Sequence, residues 1–290
     1  MSKKLKDKSA SLIDAPQGGV PRSGTQSIER VVDVLRVIAS RGRRGMRAGE
    51  VVATSGLAEA TCFRMLHRLE LEGMVDRDPH TRKYSLGPLL YELGLLARPR
   101  YRLAELCDAP LHRLADFTQD TVYLSERSGL EAVCANRALG DFPIKSLSLD
   151  IGIRRPLGVG AGGLAILCSL PPSEAQAIVE ANAHRYEKFA SFTADFLHGA
   201  IAEGRARGYC FLNGAVTPGT ASMGVAFPPH NPVAAISVAA ISGRLQPKRR
   251  EVIAQQMHRE VRKIVAAMEQ PQRHAEGAGP AGAPAFDAVP

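Results

Sequence analysis

Apolar residues recur at helical spacing through Ile28, Val31, Val32, Leu35, Ile38 and Ala39, behind a capping residue at Ser27, and predict a first helix with one core face. A basic break from Arg41 to Arg47 precedes a second short helix over residues 48–54. Ser55 and Gly56 close it, glycine suiting a left-handed cap. A third helical pattern, residues 58–72, buries Ala58, Cys62, Leu66 and Leu69 and turns Ala60, Thr61, Arg64 and Arg68 outward. Beyond Gly73, residues 74–77 and 82–86 read as two strands joined by the turn residues Asp78, Pro79, His80 and Thr81. Three helices followed by a basic hairpin have the layout of a winged helix-turn-helix.

The outward face of the third helix carries chemistry suited to double-stranded DNA. Arg64 can pair bidentately with guanine O6 and N7, Thr61 can reach a base edge or phosphate, Arg68 can hold the backbone, and small Ala58 and Ala60 permit close approach. Arg47, with His80, Arg82 and Lys83 of the hairpin, completes the set of expected DNA contacts. An ordinary three-helix module with solvated arginines is the competing reading. The distribution of charge argues against it: residues 1–102 hold 19 Lys and Arg against 11 Asp and Glu, whereas residues 103–290 hold 18 of each. All of the net charge of +8 is therefore N-terminal, as expected of a chain that meets phosphate with one part only.

After Gly87-Pro88, an apolar stripe of Leu89, Leu90, Leu93, Leu96 and Ala97 ends near Arg98-Pro99 and predicts a linker helix that needs a partner. A second copy of the chain is the simplest one, and two-fold symmetry predicts a palindromic operator. An amphipathic helix follows over residues 103–117. Strands are expected at 121–125, 131–136, 145–149, 208–212, 221–227 and 233–240, and helices at 161–169, 173–183, 192–207 and 247–268. The fold class is thus α/β (α+β). The expected division is a basic tail over 1–24, a DNA-binding domain over 25–87, a linker over 88–102, a second domain over 103–269 and a tail over 270–290, both tails mobile.

With 290 residues and 45% hydrophobic content, the chain can form two cores. No run reaches transmembrane length, and the N-terminal lysines precede no apolar segment, so the cytoplasm is expected. The five cysteines, Cys62, Cys107, Cys134, Cys168 and Cys210, include no C-x-x-C pair and predict neither a disulfide framework nor a metal site.

The segments Thr25-Gln26-Ser27-Ile28-Glu29-Arg30, Gly56-Leu57 with Thr61 and Arg64, and Tyr84-Ser85-Leu86-Gly87 resemble the DNA-binding half of the IclR (isocitrate lyase regulator) family of transcription factors. The resemblance continues through Gly152, Pro156-Leu157, Gly160-Ala161, Gly208-Tyr209 and residues 235–238, covering roughly residues 25–268 in collinear order. It implies a homodimer or homotetramer, a GAF-like effector-binding domain, and a small organic-acid effector. It assigns Gly160, Ala161, Asn213 and Ser222 to the effector pocket, with Leu147, Phe211 and Met223 as apolar walls. The chain departs from the family pattern at Gly158 and Gly160, where histidine and threonine are common, and at residues 212–215, where acids are common. Ser222 stands where cysteine is frequent. Fewer fixed polar groups point to a larger or more apolar carboxylate.

Gly158, Gly160 and Gly163 also spell G-x-G-x-x-G, but a dinucleotide fingerprint needs a buried first strand before it and an acid at the end of the next strand. Neither is present in the pattern. The bare N–H groups of a helix start around Gly160 and Ala161 instead suit a carboxylate. No G-x-S-x-G elbow or metal-ligand spacing occurs, so no cofactor and no enzymatic activity are expected. Two alternatives remain: a ligand-independent DNA-binding oligomer whose second domain only dimerises, and a nucleotide-binding enzyme using Gly158–Gly163.

Overall fold

A computed structural model describes residues 25–97 and 102–269. The expected tails, and the end of the linker at Arg98-Pro99, lie outside these residues. Helix α1 (Gln26–Ala39) begins one residue after Thr25, so Ser27 lies inside it rather than capping it. Its core face is rotated from the expected one: Val34, Val37 and Ile38 are buried, while Ile28 is 62% exposed. The basic break contains a short 3-10 turn and the two-residue strand β1 (Met46–Arg47). Helices α2 (Ala48–Ser55) and α3 (Glu59–Leu71) follow, separated by Gly56 at φ 67, the expected left-handed cap. Val51, Cys62, Leu66 and Leu69 close the small core with α1. Ala58, expected in that core, is the exposed N-cap of α3 instead.

The hairpin forms as β2 (Val75–Arg77) and β3 (Lys83–Leu86), and β1 pairs on the other side of β3. Arg47 lies opposite Lys83 in that register, which ties the wing to the start of α2. Helix α4 (Pro88–Ala97) buries none of its residues within the chain, with Tyr91, Leu93, Leu95 and Leu96 all exposed.

The second sheet is antiparallel throughout its described pairs. Helix α5 (Leu103–Thr118) leads to β4 (Thr121–Ser128), β5 (Glu131–Leu139) and β6 (Arg154–Pro156). Then come α6 (Ala161–Ser169), α7 (Pro172–Ala181), α8 (Ala183–Tyr186) and α9 (Ala194–Arg207). Strands β7 (Cys210–Asn213), β8 (Thr220–Phe227) and β9 (Ala234–Ile241) precede the long α10 (Pro247–Glu269). Strand order is β6-β5-β4-β9-β8-β7.

Alternation along the strands separates two cores, because successive side chains leave opposite faces of a sheet. Val122, Leu124, Met223, Val225, Ile236 and Val238 pack with α5 and α10, through Leu111, Leu114, Met257 and Ile264. Leu164, Leu167, Ile178, Leu197 and Leu212 form the core beneath α6, α7 and α9. Asp120, buried at the corner before β4, accepts from Arg244 Nε at 2.7 Å and Arg249 Nη2 at 2.8 Å, fixing the entry to α10. Glu260 of α10 accepts from Arg113 of α5 at 2.6 Å and Lys263 at 2.8 Å, joining the two helices.

Two expectations for this part differ from the structure. Residues 145–149 alternate like a strand but run as irregular chain across the sheet face. Their carbonyls are held by side chains rather than by a ladder: Tyr123 Oη donates to Ser146 O at 2.5 Å, and Arg155 donates to Ser148 O. The segment before the glycine run, where the sequence pattern shows no buried strand, is conversely the edge strand β6, paired with β5 at Ala132 and Val133.

Candidate functional site

The first candidate surface is built on α3. Ala60, Arg64 and Arg68 are exposed on it and Thr61 is half-buried, as the helical spacing requires once Cys62, Leu66 and Leu69 face inward. Arg64 has no acidic partner among the described residues, whereas Arg68 pairs with Glu72 one turn on. Phe63 and His67 are exposed on this helix too, a feature that spacing from Ala60 shows but chemistry alone did not single out. At the wing tip, the Asp78 carboxylate accepts from the backbone of His80 (3.0 Å) and Thr81 (2.6 Å) and from the Thr81 hydroxyl (2.9 Å). Those bonds hold its carboxyl below the usual carboxylate range. His80 and Arg82 are exposed at this tip, Arg82 at φ 56, Lys83 is half-buried beside it, and Arg47 is exposed across the β1–β3 pair.

The second candidate site is a small cavity of about 50 Å³, with an open mouth, between the second sheet and the start of α6. Close approach of α6 depends on two glycines. A Cβ on Gly162 would stand 2.6 Å from Ser125 Oγ, and one on Gly224 would collide with the Ala161 carbonyl. Gly160 caps the helix at φ 85, and the first-turn residues Ala161, Gly162 and Gly163, whose N–H groups have no partner within the helix, line the cavity. The sheet supplies Tyr123, Ser125, Ala132, Ser222 and Ser237, and the irregular loop supplies Ser146, Ser148 and Leu149. Burial pushes the Tyr123 hydroxyl up to about 12, so it remains a proton donor to the Ser146 carbonyl.

Arg155 of β6 enters the same cavity, nine-tenths buried, and burial pushes its guanidinium below its ordinary value. One Nη2 bond to the Ser148 carbonyl holds it, its Nε has no partner, and it faces no carboxylate among the described residues. By contrast, neighbouring Arg154 bonds Glu131 at 2.6 Å, and Arg185 pairs with the other Glu131 oxygen.

Of the pocket residues implied by resemblance, Gly160, Ala161 and Ser222 come together here. Met223 and Phe211 do not line this cavity. Met223 is fully buried in the core on the opposite sheet face, and Phe211 lies on that face beneath Arg250, whose guanidinium carbon is 4.0 Å from the ring centroid. Asn213 is exposed at a separate open groove, and Leu147 is 53% exposed while its neighbour Ser146 is buried and Ser148 borders the cavity from an exposed position. Gly158 serves packing: its Cβ would meet Leu197 Cδ2 at 2.9 Å. The glycine run follows an antiparallel edge strand, not the parallel first strand of a nucleotide-binding unit.

Residues 98–266 match the family described as "Bacterial transcriptional regulator IclR C-terminal", and residues 27–79 match the IclR helix-turn-helix domain. The chain belongs to the IclR family. Its curated relatives include the transcriptional regulator XynR of Escherichia coli (strain K12), 25% identical over 76% of this chain and 88% of that protein. The glycerol operon regulatory protein of Streptomyces coelicolor is 26% identical over 76% and 86% respectively. Among solved structures, an IclR regulator from Alicyclobacillus acidocaldarius superposes with a TM-score of 0.70 at 24% identity, covering 84% of this chain and 99% of its own. An IclR homologue from Microbacterium hydrocarbonoxydans complexed with 4-hydroxybenzoate has a TM-score of 0.66 at 20% identity, covering 82% and 97%. As a family member the chain is a DNA-binding transcriptional regulator, not an enzyme. No helix among the described residues is long and apolar enough to cross a membrane.

Proposed function

We propose that this IclR-family regulator is controlled by a small organic acid held at the start of α6, and that residues 25–87 read DNA while residues 103–269 bind the effector. The observation that carries this reading is the open cavity against the bare first turn of α6, in a chain whose other sheet carries a winged helix-turn-helix. Gly160, Ala161 and Ser222 are the contacts retained from the sequence reading. Thr61 and Arg64 read bases from the exposed face of α3, and Arg47, Arg68, His80, Arg82 and Lys83 hold phosphates. The uncovered apolar face of α4 is met by a second copy of the chain, which places two readers on a palindromic operator in the cytoplasm. Effector binding and DNA binding are then coupled with equal strength in both directions.

The test is binding of the purified protein to its own upstream intergenic DNA, against random duplex of equal length, at two salt concentrations and with a panel of carboxylates. Discrimination that survives the higher salt, and that one acid changes, supports the reading. Discrimination that no ligand changes favours an oligomer that reads DNA without an effector. Loss of all discrimination refutes operator recognition.

A further inference from the structure

The lining of the α6 cavity is unusual in its polar groups: one buried guanidinium, a helix N-terminus, no acid, and several hydroxyls. A buried cation without a counter-charge costs folding free energy, and natural cores keep one only where something compensates it. Arg155 is not serving a structural ion pair, since both oxygens of the nearby Glu131 are taken by Arg154 and Arg185. A Cβ at Gly160 would lie 3.7 Å from Arg155 Nη1, so the guanidinium and the start of α6 converge on one spot. Both favour a negative charge there. Across the cavity, the hydroxyls of Ser125, Ser222 and Ser237 make no hydrogen bond within the described residues. The larger, more apolar acid expected from the lost family acids would leave those hydroxyls unsatisfied.

Resting on the effector reading above, we propose that the cavity takes a short monocarboxylic acid bearing hydroxyl groups, its carboxylate held by Arg155 and the N–H groups of α6 and its hydroxyls by Ser125, Ser222 and Ser237. One cation in the lining limits the ligand to one carboxylate. Hydroxyls that a ligand leaves unpaired in a buried site weaken binding, so matching groups give selectivity over the deoxygenated acid.

The experiment measures calorimetric affinity and ligand-induced thermal shift for the full chain with glycerate, threonate, malate, butyrate, 4-hydroxybenzoate and the amides of the first two. Glycerate or threonate is expected to bind at least tenfold tighter than butyrate or malate. Arg155→Met should weaken the hydroxy acid on the order of a hundredfold, the usual result of truncating a buried charge partner. It should also erase the preference for acid over amide, and leave the ligand-free melting temperature unchanged or higher because an unpaired buried charge is gone. Arg155→Lys should recover part of the acid preference. If Arg155 only anchored the loop through Ser148, Arg155→Met would weaken acid and amide equally, and that result overturns its role. Affinity of butyrate or 4-hydroxybenzoate equal to that of the hydroxy acids overturns the hydroxyl assignment while leaving the effector reading standing. Absence of any response to every carboxylate overturns both.

Discussion

Replacing Arg64 with alanine separates base reading from general attraction to phosphate. Arg64 stands exposed in the middle of α3, and no acid among the described residues neutralises it, so its guanidinium is free to form a bidentate pair in the major groove. Such a pair contributes about 1–3 kcal/mol of discrimination per half-site, or roughly 2–6 kcal/mol over a symmetric operator. Arg68 is the internal comparison. Its charge is shared with Glu72, both side chains being largely exposed at 72% and 47%, and an exposed pair of this kind leaves only part of the charge for DNA. Arg68→Ala should therefore weaken all duplexes alike, by under about 1 kcal/mol per half-site, and reduce the salt slope. The assay is fluorescence anisotropy against an operator recovered by selection from random duplexes, with a scrambled duplex beside it, at several salt concentrations. Equal losses on both duplexes for Arg64→Ala would refute the base-reading assignment and make α3 a phosphate-binding helix only.

Asp120→Asn removes the acceptor charge for Arg244 and Arg249 from a site 1% exposed; because both arginines keep some solvent, a loss of about 2–4 kcal/mol is expected in urea unfolding. Burial alone would raise the Glu260 carboxyl, but hydrogen bonds from Arg113 and Lys263 outweigh it and hold the group below its ordinary value. Its folded value being depressed, its stabilisation is full above the unfolded value of about 4.3 and disappears as pH falls through the folded one. Glu260→Gln should thus flatten the acid limb of the stability profile below about pH 5, and an unchanged limb would show that other carboxylates control it. Gly162→Ala places a methyl 2.6 Å from Ser125 Oγ and should cost about 1–3 kcal/mol in thermal unfolding while displacing the helix start from the cavity. Retention of both stability and ligand response would show that the two elements part without cost.

The elements were more legible in the sequence than the directions of their side chains. Helix α3 and its outward residues followed from one period, because Cys62, Leu66 and Leu69 leave only one way to turn the helix. In α1, by contrast, nearly every second residue is apolar, and the choice between Ile28 and Val34 as core was made by packing against α2 and α3. The pocket suffered from parity: Ser222 and Met223 are neighbours in sequence, yet the pleat sends them to opposite faces of β8, and glycine and leucine landmarks carry no information on which face is which. Residues 145–149 alternate as a strand does, but side chains of Tyr123 and Arg155, distant in sequence, capture their carbonyls. Arg155 itself sits beside Arg154 in a basic pair that reads as solvated surface. Its burial arises only when β6 pairs with β5 and α6 closes over it.

Helix α4 has ten residues, none of them buried within its own chain. Isolated helices shorter than about 12–15 residues are marginal in water, so its hydrogen bonds persist only as well as its uncovered leucines are sheltered. If a second copy of the chain covers α4 as proposed, the amide exchange rates of residues 91–97 are a clock for that association. They should slow as protein concentration rises while those of β4 and β9, locked inside the second sheet, do not change, giving the half-life of the assembled state without a label or a ligand.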